Sequence, residues 1–164
     1  MPFKKIVLMS GAIVVFILAA LISWYEGGQL RGEPWEWRYT AVFSNWANEG
    51  FTNADNLWVL DHFVYAAKFE PFYPLVMAIS FFFVLFLLTF WLFRGRRVVR
   101  NAILLLIASI SFLACYALFD SPTIGFRLFA VLFGMAGAFS IFGMIAVKSG
   151  GSSEAKSFGK GEFS

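Results

Sequence analysis

The chain has 164 residues, of which 60% are hydrophobic and 14% are charged. This composition reverses the balance of a soluble globular domain, and the length leaves no room for a second soluble domain. The formal net charge of +3 could suggest nucleic acid as a partner, but the charges are sorted by side of a membrane, so we expect no nucleic-acid binding.

Four apolar segments, each free of acidic residues, match the thickness of a bilayer. At ~1.5 Å of rise per residue, each can cross a ~30 Å hydrocarbon core as a helix. They are residues 6–24, 73–93, 102–119 and 124–147. The predicted bundle covers residues 1–148 and includes an outer loop, 25–72. Residues 149–164 are rich in Gly, Ser and Lys and are expected to form a flexible cytoplasmic tail.

Basic residues cluster at one end of the predicted bundle. Lys4 and Lys5 precede the first span, four arginines between 94 and 100 follow the second, and three lysines follow the fourth. The outer loop instead carries seven acidic and three basic residues. By the positive-inside rule, we expect a multi-pass protein of the cell membrane with its N-terminus and C-terminus in the cytoplasm.

The outer loop is too rich in aromatic residues for a disordered linker. Acidic and aromatic residues alternate from residue 32 to 39, which predicts an extended or turn-rich strip with its rings on one face. Trp35, Trp37 and Arg38 are candidates for an interaction surface, because Trp and Arg are enriched at binding hot spots. The alternative is that the tryptophans only anchor the loop at the membrane interface.

A short amphipathic helix is predicted at the end of this loop. Thr52-x-x-Asp55 has the form of a capping box and Pro71 stops the helix, so the helix should run from Asp55 to Glu70. Its apolar face consists of Leu57, Leu60, Val64 and Ala67. The helix is too short to span, so we expect it to lie on the membrane surface or on the bundle, with the charge of Lys68 exposed. The predicted fold class is therefore an all-α membrane protein with four transmembrane helices and an outer amphipathic helix between the first and second spans.

Asp61 and His62 are the one adjacent carboxylate and imidazole pair in the chain. Neighbouring helical side chains diverge by ~100°, so these two do not converge on one metal ion or one proton. We therefore assign both to the candidate interaction surface. The single cysteine, Cys115, has no thiol partner and is interpreted as a packing residue. With no catalytic, metal-binding or nucleotide-binding motif in the chain, we expect no cofactor, no metal and no enzymatic activity.

Small residues in the fourth span predict close helix packing. Gly134, Gly137 and Ala138 leave room for the backbone of a neighbouring helix. Arg127 lies near the start of this span, where its guanidinium can return to the interface or meet Asp120 in the preceding turn.

The outer loop also carries a family resemblance. Its motifs are, in order, Tyr25-Glu26-Gly27, Pro34-Trp35-Glu36-Trp37, Asp61 and Phe63-Val64-Tyr65-Ala66-Ala67-Lys68-Phe69. With these motifs and spans the chain resembles a family of small uncharacterised four-helix membrane proteins of Bacillus-type Gram-positive bacteria. That resemblance implies a plasma-membrane location and carries over no catalytic residue.

These observations favour a non-enzymatic multi-pass membrane protein whose aromatic, acidic outer loop engages a partner protein, a lipid or an envelope component. The expected partners are the lipid bilayer and either a membrane protein or a second copy of the chain. The alternative is a small transporter or channel formed by oligomerised four-helix bundles. A channel needs a polar stripe along its spans, and these spans contain only scattered Ser, Thr, Tyr and Cys.

Overall fold

The computed structural model of the chain describes residues 3–47 and 53–158, with side chains described as far as residue 146. Those residues form helices and turns, with no strand among them. The helices are α1 Phe3–Gly27, α2 Trp37–Thr40, α3 Val42–Ala47, α4 Val59–Phe69, α5 Phe72–Leu92, α6 Arg97–Phe119 and α7 Ile124–Phe158. Short 3₁₀ turns cover Gly28–Gly32, Pro34–Glu36 and Ala54–Asn56.

Four of these helices are long and apolar enough to cross a membrane. They are α1, α5, α6 and the part of α7 from Ile124 to Ala146, and α4 lies between the first two. The predicted fold class is thus confirmed. Helix α7 continues along the backbone to Phe158, and residues 159–164 lie outside the described residues, so the flexible tail stays a prediction.

The long helices pack as two pairs. Helix α1 packs mainly on α5, and α6 packs on α7. On α7, Gly137 is buried beneath the ring of Phe112, to which an added Cβ would come within 2.9 Å. Gly134 faces Cys115 across the same interface, whereas Ala138 is exposed because it points ~100° away from Gly137. The two predicted glycines therefore lie in the helix contact and the alanine lies outside it.

Arg127 lies in the first turn of α7, next to the turn that joins α6 to α7. Arg127 is exposed, and its Nε donates to the backbone carbonyl of Ser121 at 2.8 Å. This contact keeps the guanidinium at the end of the helix. The guanidinium therefore reaches back to the α6–α7 turn, where its hydrogen-bond partner is Ser121 rather than Asp120. Its return to the membrane interface stays a prediction.

Helix α4 joins the two pairs through glycines at both of its ends. A Cβ on Gly27, at the end of α1, would overlap the backbone carbonyl of His62. A Cβ on Gly125, at the start of α7, would overlap the backbone carbonyl of Ala67. Since backbone cannot give way as a flexible side chain does, only glycine permits these two approaches. Helix α4 thus lies on the bundle, with its ends held by α1 and α7.

Residues 28–47 and 53–70 fold into what we call the outer cap. Of the two predicted forms of the strip 32–39, extended or turn-rich, the structure has the second, as a 3₁₀ turn followed by the short helix α2. Pro34 begins the turn Pro34–Glu36, which leads directly into α2. Proline fixes φ near the helical value, so it starts helical turns readily. The Nε1 of Trp37 also donates to the carbonyl of Leu30 at 2.8 Å, which fixes the folded-back path.

The start of α4 also differs from the prediction. The helix begins at Val59 rather than at Asp55. The side chain of Asn53 accepts a hydrogen bond from the backbone N–H of Asp55 and so caps the turn Ala54–Asn56 instead. Leu57 and Trp58 are then extended, which breaks the helix. Thr52, the first residue of the predicted capping pattern, lies outside the described residues.

Replacing Gly27 with alanine should destabilise the protein, because the added methyl group meets the backbone of α4. Overpacking typically costs ~1–3 kcal/mol, and a clash with a rigid backbone belongs at the upper end of that range. The measurement is the midpoint of thermal unfolding in detergent. Gly11→Ala is the matched control, since a Cβ on Gly11 of the same helix meets nothing within 4 Å. Equal midpoints for the two variants would contradict the close approach of α1 and α4.

Candidate functional site

The outer cap has its own small hydrophobic core. Leu30, Ala41, Leu57 and Tyr65 are buried together, with Trp37 and Ala54 packed against them. The backbone carbonyl of Trp37 accepts a hydrogen bond from the side chain of Asn45 at 2.7 Å. Trp37 therefore packs inside the cap. The sequence instead predicts that its side chain belongs to an exposed interaction surface.

Asp61 is fully buried and joins α3 to α4. Its carboxylate accepts hydrogen bonds from the backbone N–H of Phe43 at 2.8 Å and of Ser44 at 2.9 Å. The hydroxyl of Ser44 donates to the same carboxylate and accepts from the backbone N–H of Trp58 at 2.8 Å. A buried carboxylate is tolerated only when hydrogen bonds replace its lost hydration, and this one is fully engaged inside the cap.

Lys68 is tied to the cap by an ion pair and is not the exposed charge that the sequence predicts. Its Nζ lies 2.7 Å from Glu36 Oε2 and 3.1 Å from Thr40 Oγ1, and only 14% of its side chain is exposed. The hydrogen bond from Lys68 lowers the pKa of Glu36, outweighing the effect of burial. Removing Lys68 should therefore cost more than the ~1 kcal/mol typical of an exposed pair.

A second carboxylate contact closes the same side of α4. The phenol of Tyr65 donates to Glu33 Oε2 at 2.8 Å. Burial, together with this carboxylate, raises the pKa of Tyr65 to about 12, because both disfavour a phenolate. Keeping the phenol neutral therefore stabilises the folded protein. This contribution is complete below pH 10.0, the ordinary pKa of tyrosine, and is lost as the pH rises through about 12.

The outside of the cap displays large aromatic side chains. The exposed fraction is 67% for Trp35, 70% for Tyr39 and 83% for Trp46. Arg38 is exposed beside them. Of the predicted interaction residues, Trp35 and Arg38 therefore lie on the surface, and the sequence prediction missed Tyr39 and Trp46. The alternating pattern that singled out Trp35 does not extend to α3, so it gave no signal for Trp46.

His62 lies in a different place from its neighbour Asp61, as the ~100° step predicts. It is 4% exposed, and neither ring nitrogen has a hydrogen-bond partner among the described residues. Burial, and to a lesser extent the charge of Arg31, lower the pKa of His62 below its ordinary value of 6.5. The imidazole is therefore neutral at pH 7, with one N–H donor and one acceptor nitrogen.

His62 lines an open pocket of about 750 Å³ between the end of α1 and the cap, which we call the His62 pocket. The other lining residues are Leu21, Trp24, Tyr25, Gly28, Gln29 and Arg31. Arg31 is exposed and makes no ion pair with any described residue. Arg31 and Gln29 had no sequence signal as site residues, because the fold alone brings them near His62.

Two open apolar spaces lie next to this pocket and share lining residues in sequence. An apolar groove of about 360 Å³ along α1 shares Leu21 and Trp24 with the His62 pocket. A central cavity of about 600 Å³ beneath α4 shares Phe16, Ala20 and Phe63 with that groove. Leu60, Val64 and Ala67 line this space, so three residues of the predicted apolar face do face the bundle, whereas Leu57 precedes α4 and is buried in the core of the cap. Within the described ranges, no three His, Cys, Asp or Glu side chains are grouped as a metal site would require.

Comparison with known proteins shows that a family model covers the part of the chain that contains this site. A family model described as a domain of unknown function, DUF4306, matches residues 6–93, which span α1, the outer cap and α5. The chain is 34% identical over 82 residues to the uncharacterized protein YjdJ of Bacillus subtilis strain 168, an alignment that covers 49% of this chain and 75% of that protein. No solved structure matches the chain.

Replacing Asp61 with asparagine should loosen α3 from α4. The amide offers one acceptor oxygen and brings an NH₂ group towards a backbone N–H, so at least one buried donor loses its partner, which costs ~1–3 kcal/mol. Hydrogen exchange followed by mass spectrometry should show faster exchange in the segment 42–47. Asp55→Asn is the control, because Asp55 is exposed. Unchanged exchange of α3 in the Asp61 variant would contradict this role.

Proposed function

The chain belongs to the DUF4306 family, and we propose that it is a non-enzymatic, multi-pass protein of the plasma membrane whose outer cap engages lipid at the outer face. The supporting observation is the exposure of Trp35, Tyr39 and Trp46 on a cap that has its own small hydrophobic core. Large exposed aromatic groups on a folded surface are characteristic of membrane or partner contacts. Tryptophan and tyrosine prefer the level of the lipid headgroups, where the ring is apolar and its N–H or O–H stays hydrated.

The orientation of the protein follows from the charges at the two ends of the bundle. The end of α1, the cap and the α6–α7 turn share one end, since α4 contacts both Gly27 and Gly125. The start of α1 and the turn between α5 and α6 lie at the other end, where Lys4, Lys5 and the arginines from 94 to 100 are found. The positive-inside rule then favours a cytoplasmic location for both termini and an outer location for the cap.

Four hydroxyl groups of the spans favour this function over the channel alternative. Ser23, Thr89, Ser109 and Ser140 each donate to the backbone carbonyl four residues earlier in their own helix. Such hydroxyls are satisfied within one helix and do not need to meet across a pore. A membrane protein partner or a second copy of the chain remains compatible with the lipid contact.

The proposed orientation predicts the labelling of two single-cysteine variants. In a Cys115→Ser background, Arg38→Cys should react with a membrane-impermeant maleimide on intact cells, because Arg38 is exposed on the cap. Gly95→Cys, in the turn between α5 and α6, should react only after the cells are opened; a Cβ there meets nothing within 4 Å. Labelling of Gly95→Cys but not Arg38→Cys on intact cells would reverse the orientation.

The proposed lipid contact predicts how brominated lipids quench tryptophan fluorescence in liposomes. If Trp35 and Trp46 contact lipid, the variant with both replaced by serine should show a smaller quenched fraction than the parent when the bromine atoms lie near the headgroups. If they face water, the quenched fraction should rise, because unquenched emitters have been removed. Trp91→Phe is the positive control, since Trp91 lies within the span α5. A rise in the cap variant would exclude lipid and favour a soluble protein or envelope polymer as the partner.

A further inference from the structure

We propose that the His62 pocket binds the phosphate-bearing headgroup of an anionic phospholipid of the outer leaflet, with an acyl chain of that lipid in the apolar groove along α1. The proposal rests on the proposed function in one respect, the placement of the cap on the outer side. The site itself is separate from the exposed aromatic surface, so the two can be tested independently.

The polar end of the site has one cation, Arg31, and neutral hydrogen-bonding groups that include Gln29 and His62. Arg31 offers a planar guanidinium that matches phosphate oxygens in a bidentate way, and it has no described ion-pair partner. Gln29 adds an amide at the same wall. Only 4% of His62 is exposed, and neither of its ring nitrogens has a hydrogen-bond partner among the described residues.

The unpaired imidazole is the observation that indicates a ligand. Buried polar groups in native proteins are almost always hydrogen-bonded, and each exception requires an explanation. Because burial and Arg31 keep the imidazole of His62 neutral, it can donate one N–H to a phosphate oxygen without any change of protonation. A phosphate in the pocket would satisfy His62 and pair with Arg31 at the same time.

The apolar end of the site fits an acyl chain. Leu21 and Trp24 line both the His62 pocket and the apolar groove, so the polar and apolar spaces are direct neighbours. Ala20 and Phe63 continue the groove into the central cavity beneath α4. The headgroup would thus lie in the His62 pocket and the acyl chain along α1, in the same order in which they lie across a leaflet. The positive charge of Arg31 favours an anionic lipid over a zwitterionic one.

The single histidine of the chain gives a direct readout of this site. In protein labelled with ¹⁵N-histidine and held in dodecyl maltoside micelles, every imidazole signal comes from His62. A nearby anion favours the protonated imidazole, so adding phosphatidylglycerol should raise the pKa of His62 by about 1. Phosphatidylcholine should have a much smaller effect. Glycerol phosphate, which carries the same phosphate without acyl chains, should need a far higher concentration to produce the same rise.

Matched variants separate the site from a general effect of charged micelles. Arg31→Gln should abolish the response to phosphatidylglycerol, whereas Arg38→Gln removes an exposed charge outside the pocket and should preserve it. Ala20→Leu narrows the groove and should raise the half-saturating concentration of phosphatidylglycerol several-fold while leaving the response to glycerol phosphate unchanged.

Any one of the following results would overturn the proposal. The first is an unchanged pKa of His62 in the parent, and the second is an equal response in Arg31→Gln and the parent. The third is an equal affinity for glycerol phosphate and phosphatidylglycerol, or no effect of Ala20→Leu, either of which would exclude a bound acyl chain. None of these results bears on the quenching of Trp35 and Trp46, so the proposed function of the aromatic surface would stand or fall separately.

Discussion

The buried carboxylate of Asp61 is the interaction on which the outer cap depends. The cap contains no cysteine, and its hydrophobic core is small, so covalent links and apolar burial supply little of its order. Asp61 instead accepts both backbone N–H groups at the start of α3 and the hydroxyl of Ser44, which in turn accepts from Trp58 at the start of α4. One side chain thereby fixes where two helices begin, and Trp46, which is displayed on α3, owes its position to this contact.

Helix α4 carries this order into the membrane bundle. One of its sides faces the cap through Asp61, Tyr65 and Lys68, while its apolar side covers the central cavity. The glycines at 27 and 125 bring α1 and α7 directly against its backbone. A helix held on two sides and at two ends is buried far more than a helix lying on a membrane surface. This is why Lys68, which appears free in the sequence, is paired with Glu36.

The sequence alone predicted the features that depend on local pattern. The spans and the α6–α7 turn follow from composition and periodicity, and the structure contains both. Of the predicted apolar face of the outer helix, Leu60, Val64 and Ala67 face the bundle, whereas Leu57 lies in the core of the cap. Sequence patterns could not predict contacts between distant positions, such as the contact of Asp61 with Phe43, which lies 18 residues away. The start of α4 failed for a related reason, since Asn53 rather than the predicted pair supplies the local cap. Of the candidate site, the sequence predicted only His62. Arg31 and Gln29 could not be predicted, because the tertiary structure alone brings them to the His62 pocket.

The contrast between Asp61 and His62 is the strongest reason to regard the His62 pocket as a site. The two residues are adjacent on one helix, and each is almost completely buried. The cap satisfies every oxygen of Asp61 with its own donors, whereas the imidazole of His62, directed towards α1, meets none among the described residues. A neutral polar group left unpaired in the interior costs ~1–3 kcal/mol. A leucine or phenylalanine would fill the same position without that cost, so packing does not account for an imidazole beside an unpaired arginine. A ligand that accepts from both accounts for the two residues together.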